Sequence, residues 1–259
     1  MNYGLYLSAS GVLTNLYRQD VFANNLANAG TVGFKRDLAS VTSRPPEAIE
    51  KALGFDDHHE LLDKLGGGML AGRQRIDFSA APITPTGNPL DAALLDDRSF
   101  FTVGYVNPET SQRETRFTRD GRFTRDAQGQ LVTVAGGFPV LNDSGRPITL
   151  PDGDAEIGSD GGVRVNGLTI GQLGVVTVPD RDQLIKQGQN LFHYTGKGDA
   201  KPVDNPQLRP GHTEQSGVDP IDTLMDLINA TKAVTSNGNL IRYHDQMLDR
   251  AVNVLGRVG

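Results

Sequence analysis

Histidines and closely spaced carboxylates are the groups in this chain that would carry acid–base or metal chemistry, and their spacing assembles neither. His58 and His59 are adjacent in the acidic run Asp56–Glu60, while His193, His212 and His244 stand far apart. None falls in the HExxH pattern, which sets two imidazoles one helical turn apart on a zinc ion. Asp152, Asp154 and Glu156 begin like a calcium loop, but Ile157 stands where the turn glycine is required and Val163 where the closing glutamate is required. Asp91, Asp96 and Asp97 resemble a glycosidase carboxylate set only in composition. They cluster ahead of a strand, in a chain without tryptophan to stack a sugar, and read as turn or surface groups. Gly66, Gly67 and Gly68 lack the lysine and spacing of a phosphate loop. Cysteine is absent, which removes thiolate nucleophiles, thiolate zinc sites and disulfides together. No catalytic, cofactor-binding or metal-binding residues are assigned, and no enzymatic activity is expected.

The bulk properties narrow the partners. A formal net charge of −6 over 259 residues argues against a nucleic-acid footprint. No run of five or more lysines and arginines offers an anionic membrane surface a docking patch. No apolar run approaches the roughly 20 residues that span a bilayer, so direct membrane insertion is not expected. The start of the chain has neither a basic region nor an unbroken apolar stretch, so export through a cleaved signal peptide is not expected either. With 31 glycines and 37% hydrophobic residues, many turns and a modest core are anticipated.

The two ends carry helical spacing. Leu5, Ala9, Val12, Leu16, Ala23 and Leu26 recur at heptad intervals, interrupted at Gln19, and predict a helix over 4–28 that stops at Asn28 and Gly30. Leu224, Leu227, Val234, Ile241, Leu248, Val252 and Leu255 repeat the pattern, with Thr231, Gly238 and Asp245 at the intervening seam positions. That helix is predicted over 221–254, with Asp219 as N-cap and Pro220 in its first turn. Between the ends, Glu47 to Leu65 returns to helical spacing. From Arg73 onward, short β runs alternate with turn residues, and Asp120-Gly121 predicts a hairpin. Further strands are predicted at 100–106, 131–134, 163–165, 173–178 and 191–194.

The expected fold is therefore α+β, with the N- and C-terminal helices pairing as an antiparallel coiled coil around a central antiparallel β-rich domain. Four segments follow: 1–36, a helical assembly segment ending in an arm; 37–72, a linker with a possible helical insertion; 73–212, the β-rich domain; and 213–259, a second helical assembly segment. Asn24, Asn25 and Asn28 fall within five residues beside the first seam, where side-chain amides can bridge facing helices and fix register. Gly33 permits a turn that inserts Phe34 into a neighbouring subunit or the helical core.

The run Ala23–Arg36, ANNLANAGTVGFKR, resembles the N-terminal motif of the bacterial flagellar rod and hook family. Matching segments follow in order: Asp77-Phe78-Ser79, Thr86 to Ala92 (TGNPLDA), Phe100 to Val103, Phe117 to Gly121 (FTRDG), Ile170 to Leu173, and Glu214 to Asp219 (EQSGVD). The resemblance covers essentially the whole chain, apart from residues 45–70, and the length suits a rod protein. Asp97-Arg98 departs from it, standing where the family usually has a glycine pair, and Gly217 replaces an asparagine.

The resemblance implies an axial structural protein exported by the flagellar secretion apparatus and placed in the basal-body rod. Its implied partners are further copies of itself in a helical homopolymer, other rod and hook proteins, and the export apparatus. The opening Leu5-Tyr6 leans toward a proximal-rod over a distal-rod position. The implied assembly interface comprises the two seams together with Asn24, Asn25, Asn28, Gly33 and Phe34. A competing reading is a secreted β-domain protein that binds cell-wall glycan and oligomerises through its terminal helices.

Overall fold

Two long helices bound the strands of the computed structural model, which describes residues 3–45, 66–108 and 110–255. Tyr3–Ala27 forms α1 and Pro220–Leu255 forms α2. Asp219 caps α2, its Oδ1 accepting from the backbone N–H groups of Ile221 and Asp222 at 2.8 and 3.2 Å. Past the end of α1, the Thr31 N–H donates to the Asn28 carbonyl at 3.1 Å and starts the arm. The helix expected over Glu47–Leu65 lies outside the described residues.

The chain divides into two compact units. One comprises Met1–Ala27, Asp37–Arg75 and Asp219–Gly259; the other comprises Asn28–Arg36 and Ile76–Val218.

In the helical unit, α1 and α2 pack antiparallel: Gly4 lies against His244, Gly11 against Asn237, and Gln19 donates to Thr231. On α2 the more buried positions step by threes and fours through Leu227, Ala230, Val234, Asn237, Ile241, His244 and Leu248. Ala230, Asn237 and His244 thus hold the intermediate seam positions, one residue earlier than Thr231, Gly238 and Asp245.

On α1 the fully buried residues are Ser8, Gly11, Thr14, Asn15, Val21 and Asn25. These are mostly small or polar, and none belongs to the leucine-rich heptad. Small residues let two backbones approach closely, so large apolar side chains are displaced to other faces of the helix. The helices pair as expected, but a leucine-on-leucine coiled-coil seam is not what closes them. Strands Val41–Ser43 and Met69–Ala71 pair antiparallel and pack on another face of α1, where Thr14 Oγ1 donates to the Met69 carbonyl.

The β-rich unit is antiparallel in every described pairing. Its largest sheet has six strands in the order Leu184–Gly188, Leu191–Tyr194, Arg113–Thr118, Ser99–Val106, Val175–Thr177 and Lys201–Pro202. Adjacent Phe100 and Phe101 point to opposite faces, as the strand period of two requires. Phe100 packs with Phe78, Phe117 and Phe192 in one core, and Phe101 packs with Phe123, Leu131, Val163 and Leu173 in a second.

Asp120-Gly121 is not a hairpin. Arg113–Thr118 pairs with Ser99–Val106, whereas Phe123–Arg125 pairs with Leu131–Thr133. Here the chain crosses between sheets, held by Asp120 on Arg122 and by Gly121 pressed on the Ala92 carbonyl. The turn between Phe123–Arg125 and Leu131–Thr133 uses Gly129 at φ +78°.

Candidate assembly surface and motif junction

Three of the motifs, far apart in sequence, meet at one buried point of the β-rich unit. Lys35 follows Gly33-Phe34, Arg119 sits in the FTRDG run, and Glu214 opens the EQSGVD run. Lys35 Nζ lies 2.6 Å from Glu214 Oε1, with the two side chains 1% and 3% exposed. The Arg119 guanidinium donates to Glu214 Oε2 at 2.8 Å and to the carbonyls of Ser99 and Asp96. Lys35 also donates to the Ser79 carbonyl at 2.8 Å, and the Ala81 N–H reaches Glu214 Oε1 at 3.2 Å. Burial lowers the Lys35 pKa below its ordinary value and Arg119 adds to that, while Glu214 opposes it.

Gly33 makes the docking possible. Its φ is +70°, and a Cβ there would stand 2.6 Å from the Arg119 backbone. Its N–H donates to the Glu214 carbonyl at 2.7 Å, and the Gly217 N–H donates to the Phe34 carbonyl at 2.9 Å. Phe34 is buried within its own β-rich unit, with Lys186 Nζ 3.8 Å above its ring. Its cover comes from this unit rather than from the helical core, and the arm that carries it pairs with the segment ahead of α2.

Asn25 is likewise used within its own unit. Its amide donates to the Asp37 carbonyl and accepts from the Asp37 N–H, both at 2.8 Å, clamping the backbone rather than bridging to α2. Asn24 is exposed and Asn28 half-buried.

The helical unit turns large apolar side chains outward. Leu5, Ala9, Val12 and Leu26 are half-buried, and Leu16 is exposed. On α2, Leu227, Val234, Ile241 and Leu248 are half-buried, while Leu224 and Val252 are exposed; the Leu255 side chain lies outside those described. Beyond the predicted residues, Tyr6, Leu13, Ile221, Met225, Tyr243 and Met247 are also exposed, Leu13 to 68% and Ile221 to 75%. Heptad reasoning passes over these because they flank its register, yet clustered apolar exposure is a sign of an interaction surface. A groove of about 380 Å³ within this unit is lined by Asn15, Arg18, Phe22, Asp226 and Ala230.

The carboxylates weighed for catalysis are held by neighbouring side chains. Asp91 accepts from Thr86 and Asn88, and Asp97 pairs with Arg181. Burial and the nearby Arg116 push the His193 pKa down. His244 packs over Gly4, and His58 and His59 lie outside the described residues. Lys35, Arg119 and Glu214 are what sequence reasoning missed. Their signal was charge of both signs recurring in three separate motifs, as Lys35-Arg36, Arg119-Asp120 and Glu214.

Comparison with known proteins matches three family descriptions along the chain. "Flagella basal body rod protein" covers residues 5–35, "Flagellar hook protein FlgE/F/G D1 domain" covers 95–178, and "Flagellar basal body rod FlgEFG protein C-terminal" covers 209–254. The flagellar basal-body rod protein FlgF of Caulobacter vibrioides is 32% identical over 260 residues, 100% of each chain. FlgG of Bacillus subtilis, also a flagellar basal-body rod protein, is 33% identical over 271 residues, covering 96% of this chain and 98% of its own.

Proposed function

This chain belongs to the flagellar basal-body rod protein family, and from that premise we propose how it works. It is a structural subunit of the basal-body rod and assembles with other rod and hook components. Copies of the subunit stack helically through contacts that do not close on themselves, and the outward apolar faces of α1 and α2 are the surfaces that meet. Torque then passes through many packed subunits, with the β-rich unit adding stiffness. The flagellar export apparatus delivers the chain, and the pair Leu5-Tyr6 favours a proximal-rod position. The glycan-binding alternative is without support, because the relatives are rod proteins over the full length.

The observation that carries this reading is the set of large apolar side chains left in water on both helices, while the fully buried residues of α1 are mostly small or polar. Covering each would be worth about 1.5 to 3 kcal/mol, and neighbouring subunits supply that cover. Leu13→Asp and Ile221→Asp are expected to abolish rod formation and motility, while the purified subunit melts within about 0.5 kcal/mol of the parent. Normal rods in cells carrying either variant would refute the assigned surface.

A further inference from the structure

We infer that Glu214 is the keystone of a clasp that docks the N-terminal arm, and that the arm cannot dock until the segment ahead of α2 is in place. One carboxylate serves two buried cations: Lys35 on Oε1 at 2.6 Å and Arg119 on Oε2 at 2.8 Å. The arm and the segment ahead of α2 are bonded directly to each other, through Gly33 N–H to the Glu214 carbonyl and Gly217 N–H to the Phe34 carbonyl. The hairpin Leu184–Gly188/Leu191–Tyr194 holds the arm from another side, with Asn190 donating to the Val32 carbonyl and Lys186 to the Lys35 carbonyl.

The charge balance makes the three members unequal. Without Lys35, Glu214 and Arg119 remain a one-to-one pair; without Arg119, Lys35 and Glu214 do. Without the Glu214 charge, two cations sit side by side out of water, each 1% exposed at its side chain, and the carboxylates that act on them from further off, Asp77 and Asp96, are engaged by Arg36 and Ser99. An unpaired buried charge is far more costly than a missing pair. The chain relieves that cost by withdrawing Lys35, which carries Phe34 and the arm with it. Residue 214 lies 179 positions beyond residue 35, so the arm that continues from α1 waits on the segment that leads into α2. A subunit lacking its last segment is thereby kept from presenting a docked arm.

The test is hydrogen exchange on the dilute, full-length protein, which needs no polymer and so stands apart from the assembly reading. In Glu214→Gln, amides 33, 34 and 217 should exchange at least roughly tenfold faster, with those of Phe101 and Leu131 unchanged. Lys35→Met should leave amides 33, 34 and 217 protected. Equal loss of protection in Lys35→Met and Glu214→Gln would overturn the keystone, as would full protection in Glu214→Gln. Should Glu214→Gln fail to fold, the Lys35→Met/Glu214→Gln double variant decides. Recovery of the fold on removing one stranded cation supports the clasp, and no recovery refutes it.

Discussion

Both carboxylate oxygens of Asp96 are taken up by the turn it opens. Oδ1 accepts from the N–H groups of Arg98 and Ser99 at 2.8 and 2.6 Å, and Oδ2 accepts from the Ser99 hydroxyl at 2.7 Å. The acidic cluster before Phe100 was legible in sequence as a turn. Its partners were not, because Arg181, which meets Asp97, is 84 residues away. Burial alone would raise the Asp96 pKa, but the Ser99 hydroxyl and the backbone donors outweigh it and hold the carboxyl below its ordinary 3.8. A depressed folded-state pKa gives stability that is present above the unfolded value and is lost as pH falls through the folded one. Asp96→Asn should therefore cost about 1 kcal/mol at neutral pH, with the gap to the parent narrowing as the solution is taken below the ordinary carboxylate range. Urea unfolding of both proteins across that range is the measurement, and a gap that stays constant would exclude this role for the charge.

α1 shows why an apolar pattern locates a helix more readily than it orients one. Its extent and its end near Asn28 followed from spacing and stop residues, and the start of α2 followed from Asp219 and Pro220. The buried face of α1 did not follow, because Ser8, Gly11, Thr14 and Asn15 look like a solvent face when only large apolar residues are scored. Thr14 is covered by the Met69–Ala71 strand, and what selects the side turned to α2 is backbone approach. A Cβ on Gly11 would lie 2.9 Å from Asn237 Nδ2, and one on Gly4 would lie 2.8 Å from the His244 ring. The facing atoms are side-chain tips, so alanine can be accommodated by their rotation, while a longer side chain has nowhere to go. Gly11→Leu should lower stability of the helical unit by about 1 to 3 kcal/mol. Gly30→Ala, with no atom within 4 Å of the added Cβ, should stay near neutral. Thermal melts followed by helical dichroism separate the two. Equal melting temperatures for Gly11→Leu and the parent would mean that close approach at Gly11 does not matter.

At the scale of the whole chain, the two units are built from different materials. The β-rich unit buries two aromatic and aliphatic cores, with Phe100, Phe101, Phe123 and Leu131 fully out of water. Among the described residues of the helical unit, the fully buried apolar side chains are Val21 and Ala230. Strands at 99–106, 131–133, 162–165, 175–177 and 191–194 were legible from short apolar runs between turn residues, whereas those at 92–94, 184–188 and 208–210 and the clasp at Glu214 were not, since no local pattern connects residues 35, 119 and 214. Local opening free energy follows buried apolar contact, so the helical unit is the weaker part until other subunits cover it. In dilute solution, the amides of α1 and α2 should exchange at least about tenfold faster than those of Ser99–Val106 and Arg113–Thr118. Their protection should rise with protein concentration, because association favours the folded form by mass action. Helices already as protected as the strands at the lowest concentration, with no gain on concentrating, would show that α1 and α2 are complete without neighbours. The outward apolar faces would then have to be explained without assembly.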